Sequence, residues 1–282
     1  MALPLGKERF LMRSNTYITI HLLFALFLVL FFVSWSRKWQ INPKRAVPWS
    51  IAMTVLGSLV LAVGHNVYPD SAIAVEILIA GIVPIALTVS AVAYLFFRDP
   101  DRISPQGSNL ILSPADGRLI YVNEISNGEV PVAVKGSNRI LLSEFTGQPF
   151  HSEKCVQLGI AMSFIDVHVN RAPIAGRIVK IKRIPGSFKS LKHLTSLVVN
   201  ERVFTQIDSQ DINVGIVQIA SRLVRRIECY LNENDCVSRG ERIGIIKFGS
   251  QVDLLISHKD GLVINVKVGD DLKAGRSVIG SY

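Results

Sequence analysis

Three side chains in this sequence have the chemical types needed to activate a hydroxyl group. Asp116 stands in "SPADG", His168 in "DVHVN" and Ser250 in "FGSQVD", in that chain order. In such a set the carboxylate orients the imidazole, and the imidazole removes the hydroxyl proton so that the oxygen becomes a nucleophile. Each residue also has a structural interpretation: Asp116-Gly117 is a hairpin-turn dipeptide, and His168 stands between two valines as in a strand.

The surroundings of Ser250 distinguish two chemistries. A serine hydrolase usually presents its nucleophile in G-x-S-x-G on a strand-to-helix turn, whereas "FGSQVDLL" lacks the second glycine and continues as an apolar strand. The other chemistry is attack by Ser250 on the carbonyl of Gly249, which has no side chain to shield that carbonyl. A third interpretation makes the Gly-Ser pair a β-bulge inside one strand, "IIKFGSQVDLLI".

The elements that must position these residues are mostly β-strands. From residue 98 onward, short apolar runs alternate with Gly, Asn, Asp and Pro, a pattern typical of β-rich folds. One helix is predicted around 187–197, where apolar and basic residues mix, either on an anionic membrane surface or as a solvated segment. Strands are predicted at 110–112, 118–124, 130–134, 156–161, 167–170, 176–184, 214–220, 226–230, 242–248, 252–256 and 261–266.

The first 97 residues have a different, strongly apolar character. The apolar runs Tyr17–Ser36, Trp49–Val67 and Val75–Phe97 explain why 49% of the whole chain is hydrophobic. The first run is long enough to cross the ~30 Å hydrocarbon layer as a helix, and it is too long for a cleavable signal peptide. We therefore predict a membrane anchor of two to three helices at 1–97 and a catalytic domain at 98–282.

Basic residues orient this anchor, because Lys and Arg collect on the cytoplasmic side. The 37–48 loop and the residues just after 97 together carry six of them, the 1–16 segment carries three and the 64–74 loop carries none. The catalytic domain is therefore expected on the cytoplasmic side of the cell's inner membrane.

Charge and cysteine usage limit the partners. The net charge of +9 would suit nucleic acid or anionic lipid, and the apolar anchor favours lipid. No basic run is interleaved with aromatic residues, so no nucleic acid is expected. The three cysteines, Cys155, Cys229 and Cys236, lack metal-ligand spacing and suit a reducing compartment, so we expect neither a metal nor a disulfide.

Seven motifs from Tyr94 to the C-terminus carry a family resemblance. In chain order they are "YLFFRDPDR", "SPADGRL", "FIDVHVNRAPIAG", "NER", "VQIASRLVRRI", "SRGERIGIIKFGSQVD" and "VKVGDDLKAGRSVIG". With these motifs the chain resembles the short, bacterial-type, pyruvoyl-dependent phosphatidylserine decarboxylases of phospholipid biosynthesis. The fold expected from pattern and resemblance is a mostly-β (α+β) catalytic domain with barrel-sandwich-like elements behind N-terminal transmembrane helices.

The resemblance implies a proenzyme that cuts itself at Gly249-Ser250. The products would be a β chain, 1–249, and an α chain, 250–282, which remain associated. Ser250 would become a covalent pyruvoyl group, the cofactor. Loss of CO2 leaves an electron pair on the Cα atom of the substrate. No ordinary side chain accepts these electrons, whereas a carbonyl group joined to the substrate amine does. The substrate would be phosphatidylserine in the lipid bilayer, and the products phosphatidylethanolamine and CO2.

The resemblance also assigns residues. Ser250 matches the pyruvoyl-forming serine, Gly249 the cleavage-site glycine and Asp116 the acidic member of the maturation triad. Longer members of the family carry two histidines where this chain has only His168, so His168 is expected to serve decarboxylation and also maturation. Its ordinary pKa near 6.5 suits proton transfer at neutral pH. Gln251 departs from the basic residue that many short relatives have there.

Cations near these motifs are candidates to bind the phosphate or carboxylate of the substrate. They are Arg171, Arg225 and Lys247, for which a plain role as strand charges is an equal alternative. Two rival functions stay open from the residues: a membrane-bound serine hydrolase using Asp116, His168 and Ser250, and a membrane-tethered interaction domain without enzymatic activity. A homo-oligomer is compatible with the sequence.

Overall fold

The computed structural model describes residues 5–39, 41–68, 72–131, 139–150, 152, 154–187, 196–221, 226–247 and 250–282. The chain divides into two compact units, Met1–Tyr94 and Leu95–Tyr282.

The first unit consists of apolar helices. They are α1 (Leu5–Lys38), α2 (Pro43–Val67) and α3 (Ile73–Phe97), and all three are long and apolar enough to cross a membrane. The helices pack closely at Gly57, where a Cβ atom would lie only 2.6 Å from a methyl carbon of Leu28 and 3.1 Å from the carbonyl oxygen of Ala80. Small residues of this kind let membrane helices approach each other. The predicted apolar helices are confirmed, and each extends beyond its apolar run.

The second unit is mostly β and contains two short helices, α4 (Leu142–Thr146) and α5 (Ser196–Val199). Its strands are β1 (Leu110–Leu112), β2 (Gly117–Ile125), β3 (Glu129–Pro131), β4 (Arg139–Leu141), β5 (Cys155–Met162), β6 (Val169–Arg171), β7 (Gly176–Ile184), β8 (Arg202–Asp208), β9 (Asn213–Ala220), β10 (Ile227–Cys229), β11 (Cys236–Val237), β12 (Arg242–Ile246), β13 (Ser250–Ser257), β14 (Val263–Ile264), β15 (Asp271–Leu272) and β16 (Val278–Ser281). The predicted mostly-β class is confirmed.

One eight-stranded antiparallel sheet, in the order β11-β7-β8-β9-β13-β5-β2-β15, forms the centre of this unit. Three-stranded sheets β10-β12-β6 and β1-β16-β14 and the two-stranded sheet β3-β4 accompany it. Strand alternation divides the side chains of β13 between two cores: Val252 and Leu254 pack in the larger one and Leu255 in the smaller one. The strand is therefore buried on both faces.

The sequence pattern failed at two places that matter for the site. β8 was not predicted, because buried polar residues such as Arg202, Thr205 and Gln206 hide its strand character. The interpretation of "IIKFGSQVDLLI" as one strand with a bulge is wrong: β12 ends at Ile246 in one sheet, and β13 begins at Ser250 in another. Most of the helix predicted around 187–197 lies outside the described residues.

Candidate active site

Ser250 is the first residue of β13, at the point where the chain enters the central sheet. Its backbone is paired on both sides, with Met162 of β5 and Ala220 of β9. The side chain of Ser250 and the whole of Gly249 lie outside the described part of the chain. The predicted cleavage site is thus at the passage from the β10-β12-β6 sheet to the eight-stranded sheet, and its downstream side is held by two neighbouring strands.

His168 is brought to the same passage by its backbone. The loop that follows Met162, the β5 partner of Ser250, leads to His168 within six residues. Asp166 shapes this loop, since its carboxylate accepts hydrogen bonds from the backbone amide and hydroxyl of Ser163 at 2.9 and 2.7 Å. The amide of Ile246, the last residue of β12, donates to the carbonyl oxygen of His168 at 3.2 Å. His168 therefore contacts the last residue of β12 and stands six residues after the β5 partner of Ser250.

The imidazole of His168 has one ring nitrogen available to accept a proton. It is fully buried, and its Nδ1 lies 2.8 Å from the carbonyl oxygen of Asp166. A carbonyl only accepts, so Nδ1 carries the hydrogen and Nε2 keeps the lone pair. Nε2 is buried and has no hydrogen-bond partner among the described residues. Burial lowers the pKa of His168 to about 4, although the contact with Asp166 and the charge of Asp116 act in the opposite direction.

Asp116 is a buried carboxylate held by several donors. Arg102 contacts its two oxygens at 2.5 and 3.0 Å, Lys273 donates at 3.0 Å and the amide of Ala274 at 2.8 Å. Burial alone would raise the pKa of Asp116, but the hydrogen bond from Arg102 and the charges of Lys273 and Arg102 lower it overall. Asp116 is therefore charged at neutral pH.

The described contacts do not join Asp116 to His168 by a hydrogen bond. The oxygen that orients Nδ1 is the backbone carbonyl of Asp166, and Asp116 acts on the imidazole through its charge. Lys273 also lies 3.8 Å from the Asp166 carboxylate, so one cation connects both acids. The role of Asp116 in a triad stays a prediction.

Arg102 and Lys273 were missed as site residues from the sequence, and Asp166 was noted only as a polar residue of its motif. Each lies in a quoted motif, "RDPDR", "FIDVHVN" or "DLKAG", and a charged residue in such a motif was the available signal. Arg102 and Lys273 both contact Asp116, and Lys273 also lies near Asp166. Lys273 is far from the other three in the chain, so sequence spacing could not show that these residues form one cluster.

The predicted substrate-binding cations have different surroundings. Arg171 is only 5% exposed, and its guanidinium donates to the carbonyls of Gly240 and Pro100 at 2.9 and 3.0 Å and contacts Asp99 at 3.3 Å. These contacts give Arg171 a structural role, and a substrate anion would have to displace them. Lys247 forms an ion pair of 2.8 Å with Glu228 and keeps part of its surface exposed. Arg225 lies outside the described residues.

A buried polar network follows Ser250 on β13. Asp253 accepts hydrogen bonds from the Tyr121 hydroxyl at 2.6 Å, the Gln157 amide at 2.6 Å and the Gln251 amide at 2.7 Å. Gln251 also donates to the Tyr121 hydroxyl at 2.7 Å. Burial raises the pKa of Asp253 to about 6, against the lowering effect of its three donors. Gln251, which the sequence left unexplained, is thus a member of this network.

The "NER" motif supports the other neighbour of Ser250. The side-chain amide of Asn200 donates to the carbonyl oxygen of Ala220 at 2.9 Å, and the backbone amide of Ala220 donates to the backbone carbonyl oxygen of Glu201 at 2.9 Å. Arg202 is buried and donates to the carbonyls of Phe145 and Glu144 at 2.8 and 2.9 Å. This motif therefore holds the end of β9 in place.

Fold and site define a class of protein: a mostly-β protein whose apolar helices suit a membrane, with a neutral, buried imidazole next to the strand end that precedes Ser250. Comparison with known proteins gives the family. The sequence profile named phosphatidylserine decarboxylase matches residues 89–280. This chain belongs to the phosphatidylserine decarboxylase family, and it is a decarboxylase.

Individual relatives agree with this assignment. A "Putative archaetidylserine decarboxylase proenzyme" of Methanocaldococcus jannaschii is 42% identical over 184 residues, covering 65% of this chain and 86% of the relative. A "Phosphatidylserine decarboxylase proenzyme" of Syntrophus aciditrophicus is 34% identical, covering 70% and 82%. Another of the same name, from Chlorobium luteolum, is 33% identical, covering 83% and 96%.

Proposed function

We propose that this chain is a proenzyme that cuts itself between Gly249 and Ser250 and then decarboxylates phosphatidylserine to phosphatidylethanolamine and CO2. The observation that carries the proposal is the buried imidazole of His168 next to the end of β12, with its Nε2 lone pair unpartnered among the described residues. The family and the proenzyme names of its relatives support the same function.

Self-cleavage exchanges an amide for an ester. The Ser250 oxygen adds to the Gly249 carbonyl carbon while Nε2 of His168 takes the hydroxyl proton, and the amide nitrogen is released as the amino group of residue 250. Loss of the Cα proton of residue 250 then expels the Gly249 carboxylate. Water finally replaces that amino group, which leaves as ammonia, so that residue 250 becomes a pyruvoyl group.

Strand pairing supports continued association of the two products. The α chain, 250–282, would contain β13, which pairs along its length with β5 and β9 of the β chain. β15 pairs with β2, and β16 pairs with β1. The new N-terminus therefore starts inside a central strand that both neighbours hold.

A buried nitrogen that is unpartnered among the described residues lies next to the end of β12, four residues before position 250, and supports a pyruvoyl group at that position. The group supplies a carbonyl that takes the substrate amine and accepts the electrons left by CO2. Nε2 of His168 first takes up a proton from water and then passes it to the substrate carbon that has lost CO2. The charge of Asp116, held ionised by Arg102 and Lys273, favours the protonated state of His168 during this transfer.

Denaturing mass spectrometry of the purified chain tests this function. Wild-type protein should yield a fragment of residues 250–282 that is lighter by one ammonia than its serine-terminated form, and it should release CO2 from phosphatidylserine. Ser250→Ala should stay full length and inactive, whereas Ser281→Ala, at the other end of the fragment, should cleave normally.

Cleavage and CO2 release by Ser250→Ala would contradict the proposal. An intact wild-type chain labelled by a fluorophosphonate would favour the serine hydrolase, and an intact, unlabelled and inactive one would favour the interaction domain.

Archaetidylserine is a second candidate substrate, because the relative from Methanocaldococcus jannaschii is named for that lipid. Both lipids carry the phosphoserine headgroup. The rate of CO2 release from vesicles that contain one or the other lipid distinguishes them.

A further inference from the structure

The chain that leaves the third apolar helix contacts the candidate site directly. We call residues 96–102 the exit segment; all of it belongs to the same compact unit as the site. Arg98 donates to the carbonyl oxygen of Ile165 at 3.1 Å, in the loop that carries His168. Arg102 binds Asp116, as described above. The exit segment is thus fixed to the site and is not a free linker.

Phe96 makes the closest contact of this segment with His168. Its ring centroid lies 3.9 Å from that of the imidazole, with an angle of 31° between the planes. Phe96 is 1% exposed, whereas the next residue, Phe97, is 54% exposed. Both are the final residues of α3.

The contacts around His168 leave one nitrogen for chemistry. The carbonyl of Asp166 occupies Nδ1, the ring of Phe96 covers the imidazole, and Nε2 has no partner among the described residues. The charged groups that act on the imidazole are Asp166 and Asp116, and the latter is paired with Arg102 and Lys273.

We propose that Phe96 is a positioning residue: its ring fixes the imidazole of His168 and excludes water from it, so that the end of an apolar helix completes the proton-transfer site. The proposal rests on the proposed function only for the role of His168, because the packing itself does not depend on the reaction. It makes the last residues of α3, which belong to the catalytic unit, a part of the site.

Two effects follow from losing the ring. Water reaches the imidazole, so the cost of charging it falls and the pKa of His168 rises from about 4 toward its ordinary value near 6.5. Because Phe96 is not expected to touch substrate, kcat should fall about 10-fold or more with a much smaller change in KM, since the imidazole is misplaced. The alkaline limb of the pH–kcat profile should move to higher pH with the histidine, because His168 donates a proton in the decarboxylation step.

The test is a histidine titration by NMR on the full-length chain in detergent micelles. Side-chain labelling of the 6 histidines is combined with His168→Gln, which assigns the His168 signal by its loss. Phe96→Ala should raise the pKa of His168 by about 1 to 2 units, and Phe96→Leu, which keeps apolar volume without the ring, by less. Ile103→Ala, at an 88% exposed residue just after the exit segment, should leave this pKa and kcat unchanged.

Slow hydrogen exchange in β13 shows that a Phe96 variant is folded. The proposal is overturned if either folded Phe96 variant keeps the wild-type pKa of His168. It is equally overturned if Ile103→Ala raises that pKa as much as Phe96→Ala. Phe96→Leu decides the question if Phe96→Ala does not fold. An unchanged pKa in a chain that still cleaves rejects this inference alone, whereas a Ser250→Ala chain that cleaves rejects the proposed function.

Discussion

At the scale of single residues, two buried groups of the site are driven in different directions by their surroundings. His168 loses water without gaining a counter-ion in direct contact, so burial lowers its pKa to about 4 and keeps it neutral. Asp116 is just as buried but is paired with Arg102 and Lys273, so its pKa is lowered and it stays charged. A neutral base near a fixed negative charge is the combination that proton transfer to and from substrate needs.

The stability of the catalytic domain should report the state of His168. Its folded-state pKa, about 4, is below the unfolded value of 6.5, so the unfolded chain binds the proton first as pH falls. The free energy of unfolding should therefore drop by about 3 kcal/mol between pH 6.5 and pH 4 relative to His168→Gln. Pulse proteolysis in urea across this pH range measures the difference.

Asp253 acts in the other direction, because its raised pKa of about 6 makes stability fall as pH rises from 4 to 6. Both chains in the comparison contain Asp253, so its effect cancels. Equal pH dependence of wild type and His168→Gln would show that His168 is not a buried neutral residue.

At the scale of elements, β13 is the strand that positions residue 250. It is the first strand after the proposed cut, and it lies between β9 and β5 in the central sheet. Backbone pairing alone would allow a strand to slip, and a slip of one residue would move every side chain to the opposite face. The buried contacts of Asp253 with Tyr121 of β2 and Gln157 of β5 oppose such a slip and hold residue 250 in register.

Asp253→Ala should weaken the association of the two cleaved chains. The Tyr121 hydroxyl and the Gln157 amide would lose their acceptor, while Gln251 would keep the Tyr121 hydroxyl as its acceptor, and each donor left without a partner costs about 1–3 kcal/mol. The α chain should dissociate at a lower urea concentration, measured by copurification of the two chains. Asp211→Ala is the matched control, because Asp211 is 66% exposed and its 3.5 Å ion pair with Lys259 is at the surface. Dissociation at the same urea concentration for both variants would show that Asp253 does not hold β13 in register.

At the scale of the whole molecule, three apolar helices precede a catalytic unit of opposite character. The basic residues of the 37–48 loop and of the exit segment predict that both lie on the cytoplasmic side, with the 64–74 loop across the membrane. The substrate is a lipid, so a site next to the end of α3 needs no soluble carrier for its headgroup.

Cysteine labelling in intact cells tests this topology. Cys236 is exposed on the catalytic unit and should be protected from a membrane-impermeant maleimide until the cells are lysed. Ala72→Cys, before the third helix, should react in intact cells, and Lys44→Cys should behave like Cys236. Labelling of Cys236 in intact cells would reverse the orientation.

The sequence by itself determined the apolar helices, the mostly-β class and the family, because each depends on local composition, periodicity or short motifs. It also singled out His168 and Ser250. Only the tertiary structure showed that β12 and β13 belong to different sheets, and that β8 is a buried strand despite Arg202 and Gln206.

The partners of the site residues were likewise decided by the tertiary structure. Arg102 and Lys273 meet at Asp116, and Phe96 packs on His168, although the members of each set are far apart in the chain. A local pattern records which face of an element is buried, but it does not record which distant element covers that face. Strand register and packing between elements made that choice, and they made His168 a buried, neutral base next to the end of β12.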